Sequence, residues 1–419
     1  MADGFYRVGT ATMYDSATRN LGQRQKTLVG LQENLTTGKR VVRPSDDPVA
    51  AAQAERALNR LSRIQSEQRQ LAAQRDTVAQ AESTLGDAVD LVQQIRQTVV
   101  AAGGGALTQD DRKTYAMQLQ SLQDQLKDVI NRKDANGMPL LGALGSALAP
   151  FIGPVSGSPD YLFNGLPGQA GSQGNGIASQ LDGQAALMFD DVRDGVYGAT
   201  LARGGADSTL VSSAIQTSNL KTLDGASYAL QITAVNTAGD TTSVDYTLTR
   251  TARDGTVTTS TGSTPATRTG QPMPVTITEG GDTVMQFTLQ GTPAVNDTLT
   301  IQPSASLMSS VQGAIDGLGS ATDTVMAAQV VNQALANIDV GLQNLNSVRG
   351  YAGELLNRAD RISGEQDERS TQLESDRSNA EDLDMVKGIS DFQNAQVGYQ
   401  AALQSYASVQ KLSLFNYIS

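Results

Sequence analysis

The chain has 419 residues and a formal net charge of −12, and it contains no cysteine, histidine or tryptophan. Disulfides, thiolate nucleophiles and thiolate-bound metals are therefore excluded, and the commonest general base and transition-metal ligand is missing. The acidic balance argues against nucleic acid and anionic membranes as partners, and neither a membrane span nor a Sec-type signal peptide is recognisable.

A heptad stripe of apolar residues predicts a first helix near the N-terminus. Its members recur at seven-residue spacing, with one more on the adjoining seam: Tyr14, Leu21, Leu28, Leu35 and Leu31. Such spacing is typical of a helix that buries one stripe against another helix. Gly38 is the predicted stop, because glycine tolerates the left-handed conformation that follows many helices.

A linker over residues 41–46 leads to a second, much longer predicted helix. Asp47 is a good N-cap, and Pro48 fits the first helical position, where its missing N–H is no loss. Six apolar residues keep an unbroken heptad register: Ile64, Leu71, Val78, Leu85, Val92 and Val99. A helix that ends at about Ala101 would be roughly 80 Å long. Thr108 and Asp111 then predict a capping box for a third helix.

Residues 138–304 are rich in Gly, Pro, Ser and Thr and predict an inserted antiparallel β domain. β-branched residues alternate in six short runs, at 228–234, 243–250, 256–260, 275–278, 283–289 and 298–302. Turn residues separate the runs, as expected for neighbouring antiparallel strands. Two subdomains, 138–215 and 216–304, are one way to divide this region.

Helical periodicity returns at about residue 305 and continues to the C-terminus. One predicted seam comprises Val331, Ile338, Leu345, Ala352 and Ala359, and the last stripe comprises Met385, Ile389, Phe392, Tyr399, Leu403 and Tyr406. The predicted fold class is therefore α+β. Long antiparallel heptad helices from both chain ends form an elongated coiled-coil rod, with the β domain inserted at its tip. The predicted parts are terminal coiled-coil helices (1–47 and 375–419), a helical rod (48–137 and 305–374) and the β domain.

Four segments of the chain resemble the flagellin superfamily. Residues 37–54, TGKRVVRPSDDPVAAAQA, resemble the N-terminal signature of flagellins and their hook-associated relatives, and the Arg-Pro-Ser-Asp-Asp-Pro form is closer to the hook–filament junction members. Residues 291–304, 348–360 and 411–418 are also similar to that branch. The first six residues extend beyond the usual start of the family.

The resemblance implies a structural, non-enzymatic subunit of the bacterial flagellum that is required for motility. Such a subunit is exported by the flagellar type III route without a cleaved signal peptide. Outside the cell it polymerises into a short tubular ring that joins hook to filament, and its terminal helices become ordered on assembly. The implied partners are further copies of the chain, the other junction protein on the hook side, flagellin on the filament side, and an export chaperone before secretion.

Subunit contacts are predicted for the two terminal stripes and for the loop between the first two helices, at Arg43, Pro44, Asp46 and Asp47. Flagellin itself is an alternative interpretation, and an adhesin that displays the β domain is another. The Asp46–Asp47 pair lacks a third ligand or nucleophile, and residues 190–195 only faintly resemble a calcium loop. The sequence predicts no catalytic residue, cofactor or metal site.

Overall fold

The computed structural model describes residues 10–145, 148–156, 160–168, 171 and 174–418. The six-residue N-terminal extension lies outside this described part. The chain divides into two compact units. The terminal unit comprises Met1–Arg69 with Ile362–Ser419, and the central unit comprises Gln70–Arg361.

Eight α-helices occur in the described part of the chain. They are α1 (Thr10–Thr37), α2 (Pro48–Ala102), α3 (Gln109–Ile130), α4 (Gly183–Leu187), α5 (Leu220–Leu223), α6 (Leu307–Ser320), α7 (Thr324–Glu381) and α8 (Met385–Ile418). The predicted start of α2 is confirmed and its predicted end is one residue short. The predicted capping box of α3 is also confirmed, since Thr108 and Asp111 cap each other's backbone N–H. None of the described helices is both long and apolar enough to cross a membrane.

The central unit is built around the predicted seam of α2. From Leu71 to Val99 the seam residues are at most 3% exposed, and the seam of α7 from Val331 to Ala359 is similarly buried. Three ion pairs join α2 to α7: Arg75–Asp360 at 3.1 Å, Glu82–Arg349 at 2.7 Å and Arg96–Asp339 at 2.7 Å. The residue numbers rise on α2 as they fall on α7, so the two helices are antiparallel in this unit. Because these side chains are partly exposed, they mark the register and add little stability. The apolar seam holds the helices together.

Twelve short or long strands are described, and their pairings are antiparallel, as predicted. They are β1 (Phe151–Ile152), β2 (Leu162–Phe163), β3 (Tyr197–Ala202), β4 (Val211–Ser212), β5 (Gln216–Thr217), β6 (Ser227–Ala238), β7 (Thr241–Thr251), β8 (Val257–Ser263), β9 (Thr267–Arg268), β10 (Met273–Glu279), β11 (Asp282–Gln290) and β12 (Thr298–Pro303). Each of the six predicted strands falls inside an observed strand or extends at most one residue beyond it. The matching strands are β6, β7, β8, β10, β11 and β12.

Two sheets share the core of the β domain. The larger has the order β3-β12-β6-β7-β8 with β9 beside β7, and the smaller has the order β10-β11-β4 with β5 beside β11. Their inward residues, among them Tyr197, Tyr228, Ile232, Val284 and Leu289, form one buried cluster. Strands from both sides of residue 215 therefore belong to the same sheets, so a division at 215 would cut through them.

Buried amides of α7 attach the β domain to the helices of the central unit. Gln333 donates from Nε2 to the carbonyl of Tyr197 at 2.7 Å and accepts from the N–H of Ile215 at 3.1 Å. Asn337 donates to the same Tyr197 carbonyl at 3.2 Å. The domain also begins and ends at one place, because the N–H of Ser304 donates to the carbonyl of Val196 at 2.9 Å. It is thus a closed insertion in a helical scaffold.

The helical region that is predicted from about residue 305 is interrupted twice in the structure. The first break precedes α7, whose N-terminus is capped by Asp323: its Oδ1 accepts from the N–H of Val325 at 3.0 Å and of Met326 at 2.8 Å. The second break, at residues 382–384, precedes α8, and Asp384 caps that helix in the same way. Short polar side chains that capture free N–H groups explain both breaks.

Candidate functional site

The candidate site is the terminal unit, where α1 packs along α8. The rings of Tyr14 and Tyr406 lie 5.6 Å apart, and the hydroxyl of Tyr406 donates to that of Tyr14 at 2.8 Å. That hydrogen bond raises the pKa of Tyr406. Near the other end of the pair, a Cβ on Gly388 would lie 3.2 Å from Cδ2 of Leu35, so the small residue permits close approach of the two helices. The structure thus brings the two predicted terminal stripes together.

The contact between α1 and α8 leaves the predicted stripes incompletely covered. Seven members are half-buried: Leu21, Leu28, Leu31, Leu35, Phe392, Tyr399 and Tyr406. The other four are 41–46% exposed: Tyr14, Met385, Ile389 and Leu403. By contrast, the α2 seam residues of the central unit are fully enclosed. A two-helix contact covers only one side of each stripe, so the remaining apolar surface faces outward.

Further apolar side chains, which the heptad pattern missed, widen this exposed surface. Val386 and Val397 of α8 are 81% and 65% exposed, and Val29 of α1 is 56% exposed. They lie outside the two heptad stripes, so a search for one seam per helix does not find them. Scattered exposed apolar residues are ordinary, but a run of them beside a half-covered stripe makes this surface a candidate for contact with another molecule.

The loop between α1 and α2 is tied to the linker before α8 by backbone hydrogen bonds. The carbonyl of Glu381 accepts from the N–H of Arg40 at 2.7 Å and of Val41 at 3.3 Å. The N–H of Leu383 donates to the carbonyl of Gly38 at 2.8 Å, and Lys39 forms an ion pair with Glu381. Gly38 has φ +70°, the left-handed conformation predicted for the end of α1. The loop between α1 and α2 and the linker between α7 and α8 therefore lie side by side in the terminal unit.

The two neighbouring carboxylates of this loop hold backbone N–H groups. Asp46 accepts from the N–H of Arg43 at 2.8 Å and from that of Val42 at 3.2 Å. Asp47 caps α2 by accepting from the N–H of Ala50 at 3.0 Å. That hydrogen bond, together with the ion pair to the Arg40 guanidinium, lowers the pKa of Asp47. Both carboxylates serve the loop conformation, which leaves acid–base catalysis without support here.

The exposed rim of the loop contains the other predicted contact residues. Arg43 and Pro44 are exposed, and the guanidinium of Arg43 lies 2.7 Å from a carboxylate oxygen of Glu33 on α1. This pair is solvent-exposed, so it positions the loop against α1 more than it stabilises the fold. The rim is accessible to a second molecule.

The calcium-like segment at residues 190–195 is a closed turn. Asp190 accepts from the N–H groups of Val192 at 3.0 Å and Arg193 at 2.8 Å. Asp194 accepts from the N–H of Asp190 at 2.8 Å and pairs with the guanidinium of Arg193 at 2.6 Å. In the described residues, no three acidic side chains converge in a way that could hold a metal ion.

Comparison with known proteins matches residues 8–144 to the model of the bacterial flagellin N-terminal helical region. A flagellar hook-associated protein 3 from Salmonella typhimurium is 36% identical over 149 residues, which are 35% of this chain and 46% of that protein. The Escherichia coli protein of the same name is 28% identical over 238 residues, covering 56% of this chain and 69% of its own length. The sequence match thus spans less than half of the first relative.

A solved structure extends the likeness to most of the fold. The crystal structure of flagellar hook-associated protein-3 from Legionella pneumophila superposes with a TM-score of 0.60 at 23% identity. It covers 77% of this chain and 97% of the Legionella chain. At this identity the likeness establishes a shared α+β fold.

Proposed function

We propose that this chain belongs to the flagellin family and is a structural subunit of the bacterial flagellum that joins the hook to the filament. It polymerises outside the cell into a short tubular ring and acts without catalysis. Its neighbours are further copies of itself, the other hook-associated junction protein on the hook side and flagellin on the filament side.

The observation that carries this proposal is the apolar surface left open on α1 and α8. The paired stripes lack a third element, and Val386 and Val397 add apolar area that no described residue covers. Isolated helix pairs with so little burial are marginal in water, because ordering the chain costs more than the contact returns. Packing between neighbouring subunits would supply the missing burial. A heterologous contact of this kind that does not close on itself generates a helical tube.

Export fits the same features. A chain without cysteine can cross a narrow channel unfolded, since no disulfide can block its passage. Terminal segments that order only in the polymer remain easy to unfold, and we propose that a chaperone covers the α8 stripe before export. The enclosed central unit then refolds outside the cell.

The test is deletion of the gene, followed by complementation. A strain without this chain should make hooks that bear no filament, release flagellin into the medium and lose motility. Electron microscopy of purified hooks should locate a tagged copy of the chain in a band at the hook tip. A deletion strain that still assembles filaments of normal length would contradict the junction role, and label along the whole filament would favour flagellin, the alternative subunit.

A further inference from the structure

A face of unpaired arginines occupies the first part of α2 in the terminal unit. Arg56, Arg60 and Arg63 follow at four- and three-residue spacing, which places them on one side of the helix. All three are exposed, and none forms a hydrogen bond or ion pair with any described residue. Three basic residues of the preceding loop are paired instead: Lys39 with Glu381, Arg40 with Asp47 and Arg43 with Glu33. The arginine face therefore has positive charge without a partner.

An open groove of about 620 Å³ runs beside this face. Arg56 and Arg60 line it from α2, Arg40 lines it from the loop, and Asp376 and Asn379 line it from α7. The carboxylate of Asp376 accepts from the Gln372 amide at 2.9 Å and forms no ion pair with these arginines. Apolar residues such as Val49 and Ala57 also line the α2 wall, and Asp47 pairs with Arg40 at 3.2 Å. Arg56 and Arg60 are therefore the unpaired positive charges of the groove, and they suit an acidic helix face.

An acidic face of matching spacing lies on α7 of the same unit. Residues 362–384 contain eight carboxylates and two arginines. Glu368 is exposed and forms no hydrogen bond or ion pair with a described residue. Glu365, one turn earlier, contacts only Arg369, at 3.6 Å and in the open. Within one chain these glutamates do not reach the arginine face.

We propose that the arginine face receives Glu365 and Glu368 of a second copy of this chain. This inference rests on the proposed polymer and names one of its contacts. Charge complementarity favours a second copy as the occupant. Arginines one turn apart on α2 can pair side by side with glutamates one turn apart on α7. A chain of net charge −12 would repel a copy that approached without such pairs. The same net charge makes nucleic acid an unsuitable ligand for the arginines.

Charge exchange tests the contact. Arg60→Glu and Glu368→Lys should each reduce the number of hooks that bear a filament at least tenfold, since each places like charges opposite one another. The combined variant should recover most of the loss. Arg69→Glu is the matched control: it makes the same charge change on the same helix, half a turn out of phase with Arg60, at another exposed and unpaired arginine. Its assembly should equal that of the original chain.

Crosslinking gives a second measurement that does not depend on charge. The chain has no cysteine, so R60C and E368C together introduce the only thiols. Oxidised hook–filament preparations should then contain covalent multimers of this chain, which disappear on reduction and are missing from each single variant. Crosslinks only to other flagellar proteins, or none, would overturn the inference.

The outcomes separate this inference from the proposed function. If the original chain is missing from the junction, the proposed function fails. If the chain is present there and Arg60→Glu assembles normally, or if the double variant shows no recovery, only the arginine contact fails. Melting curves of the purified variants should match that of the original chain, because all the substituted side chains are exposed.

Discussion

Two sets of substitutions should separate the stability of the folded chain from its capacity to assemble. Leu85→Ala removes a side chain that is fully enclosed in the α2 seam. A leucine truncation of this kind costs about 2–5 kcal/mol, and for a unit of this size roughly 2 °C of Tm is lost per kcal/mol. The main melting transition should therefore fall by roughly 4–10 °C.

The contrasting variant replaces Phe392, Tyr399 and Tyr406 by Ala. Buried aromatic truncations cost about 3–5 kcal/mol each, but these three side chains are only half-buried and belong to the terminal unit. The main transition should move by less than about 2 °C, whereas filament attachment should be lost, because in the polymer the same side chains would be enclosed.

Calorimetry at micromolar concentration, beside a motility assay of the complemented deletion strain, gives both readouts. Leu85→Ala serves as the control that the transition reports packing. If the triple aromatic variant lowers the main transition as far as Leu85→Ala does, the stripe is ordinary core and the coupling of folding to assembly is wrong. Normal motility of the triple variant would refute the role of the stripe in assembly.

Three further outcomes can be measured. Replacing residues 197–303 by a short Gly-Ser link should leave export and junction formation largely intact, as scored by motility, because the insertion begins and ends at adjacent backbone positions. Glu279→Gln should lower the unfolding free energy by about 1–3 kcal/mol in denaturant titration, since it weakens the 2.5 Å hydrogen bond from the buried Tyr228 hydroxyl. The pKa of Asp47 is lowered, so its cap on α2 is intact above pH 3.8 and is lost as the pH falls through the depressed pKa. Hydrogen exchange at the Ala50 N–H should therefore speed up in acid in the original chain, and this acid dependence should be lost in Asp47→Asn.

The long helices and six of the twelve described strands were predictable because both signals are local. A seam such as Leu71 to Val99 repeats every seven residues, and the start of α2 is fixed by Asp47 and Pro48. The paired runs of β6 and β7 alternate in the same way over short distances. Each signal can be recognised without knowing what lies on the other side of the helix or strand.

Features that depend on distant partners were missed. β3 contains Gly198 and Ala199, and it becomes a strand because β12 pairs with it across about a hundred residues. The buried amides of Gln333 and Asn337 look like solvent-facing helix residues in the sequence, and their partner is the Tyr197 carbonyl in the β domain. No local pattern marks either arrangement.

The candidate site illustrates the same limit in a form that bears on function. Leu85 and Leu403 both occupy apolar heptad stripes, yet the first is 0% and the second 41% exposed. Heptad spacing states which face of a helix is apolar, but the number of neighbours that cover that face is a property of the whole arrangement. In the central unit the cover is complete within one chain, and on α8 it is not. Under the proposed function, a helix stripe that needs more neighbours than one chain supplies would give the subunit a reason to polymerise. The difference in cover would then separate the part of the chain that folds alone from the part that orders on assembly.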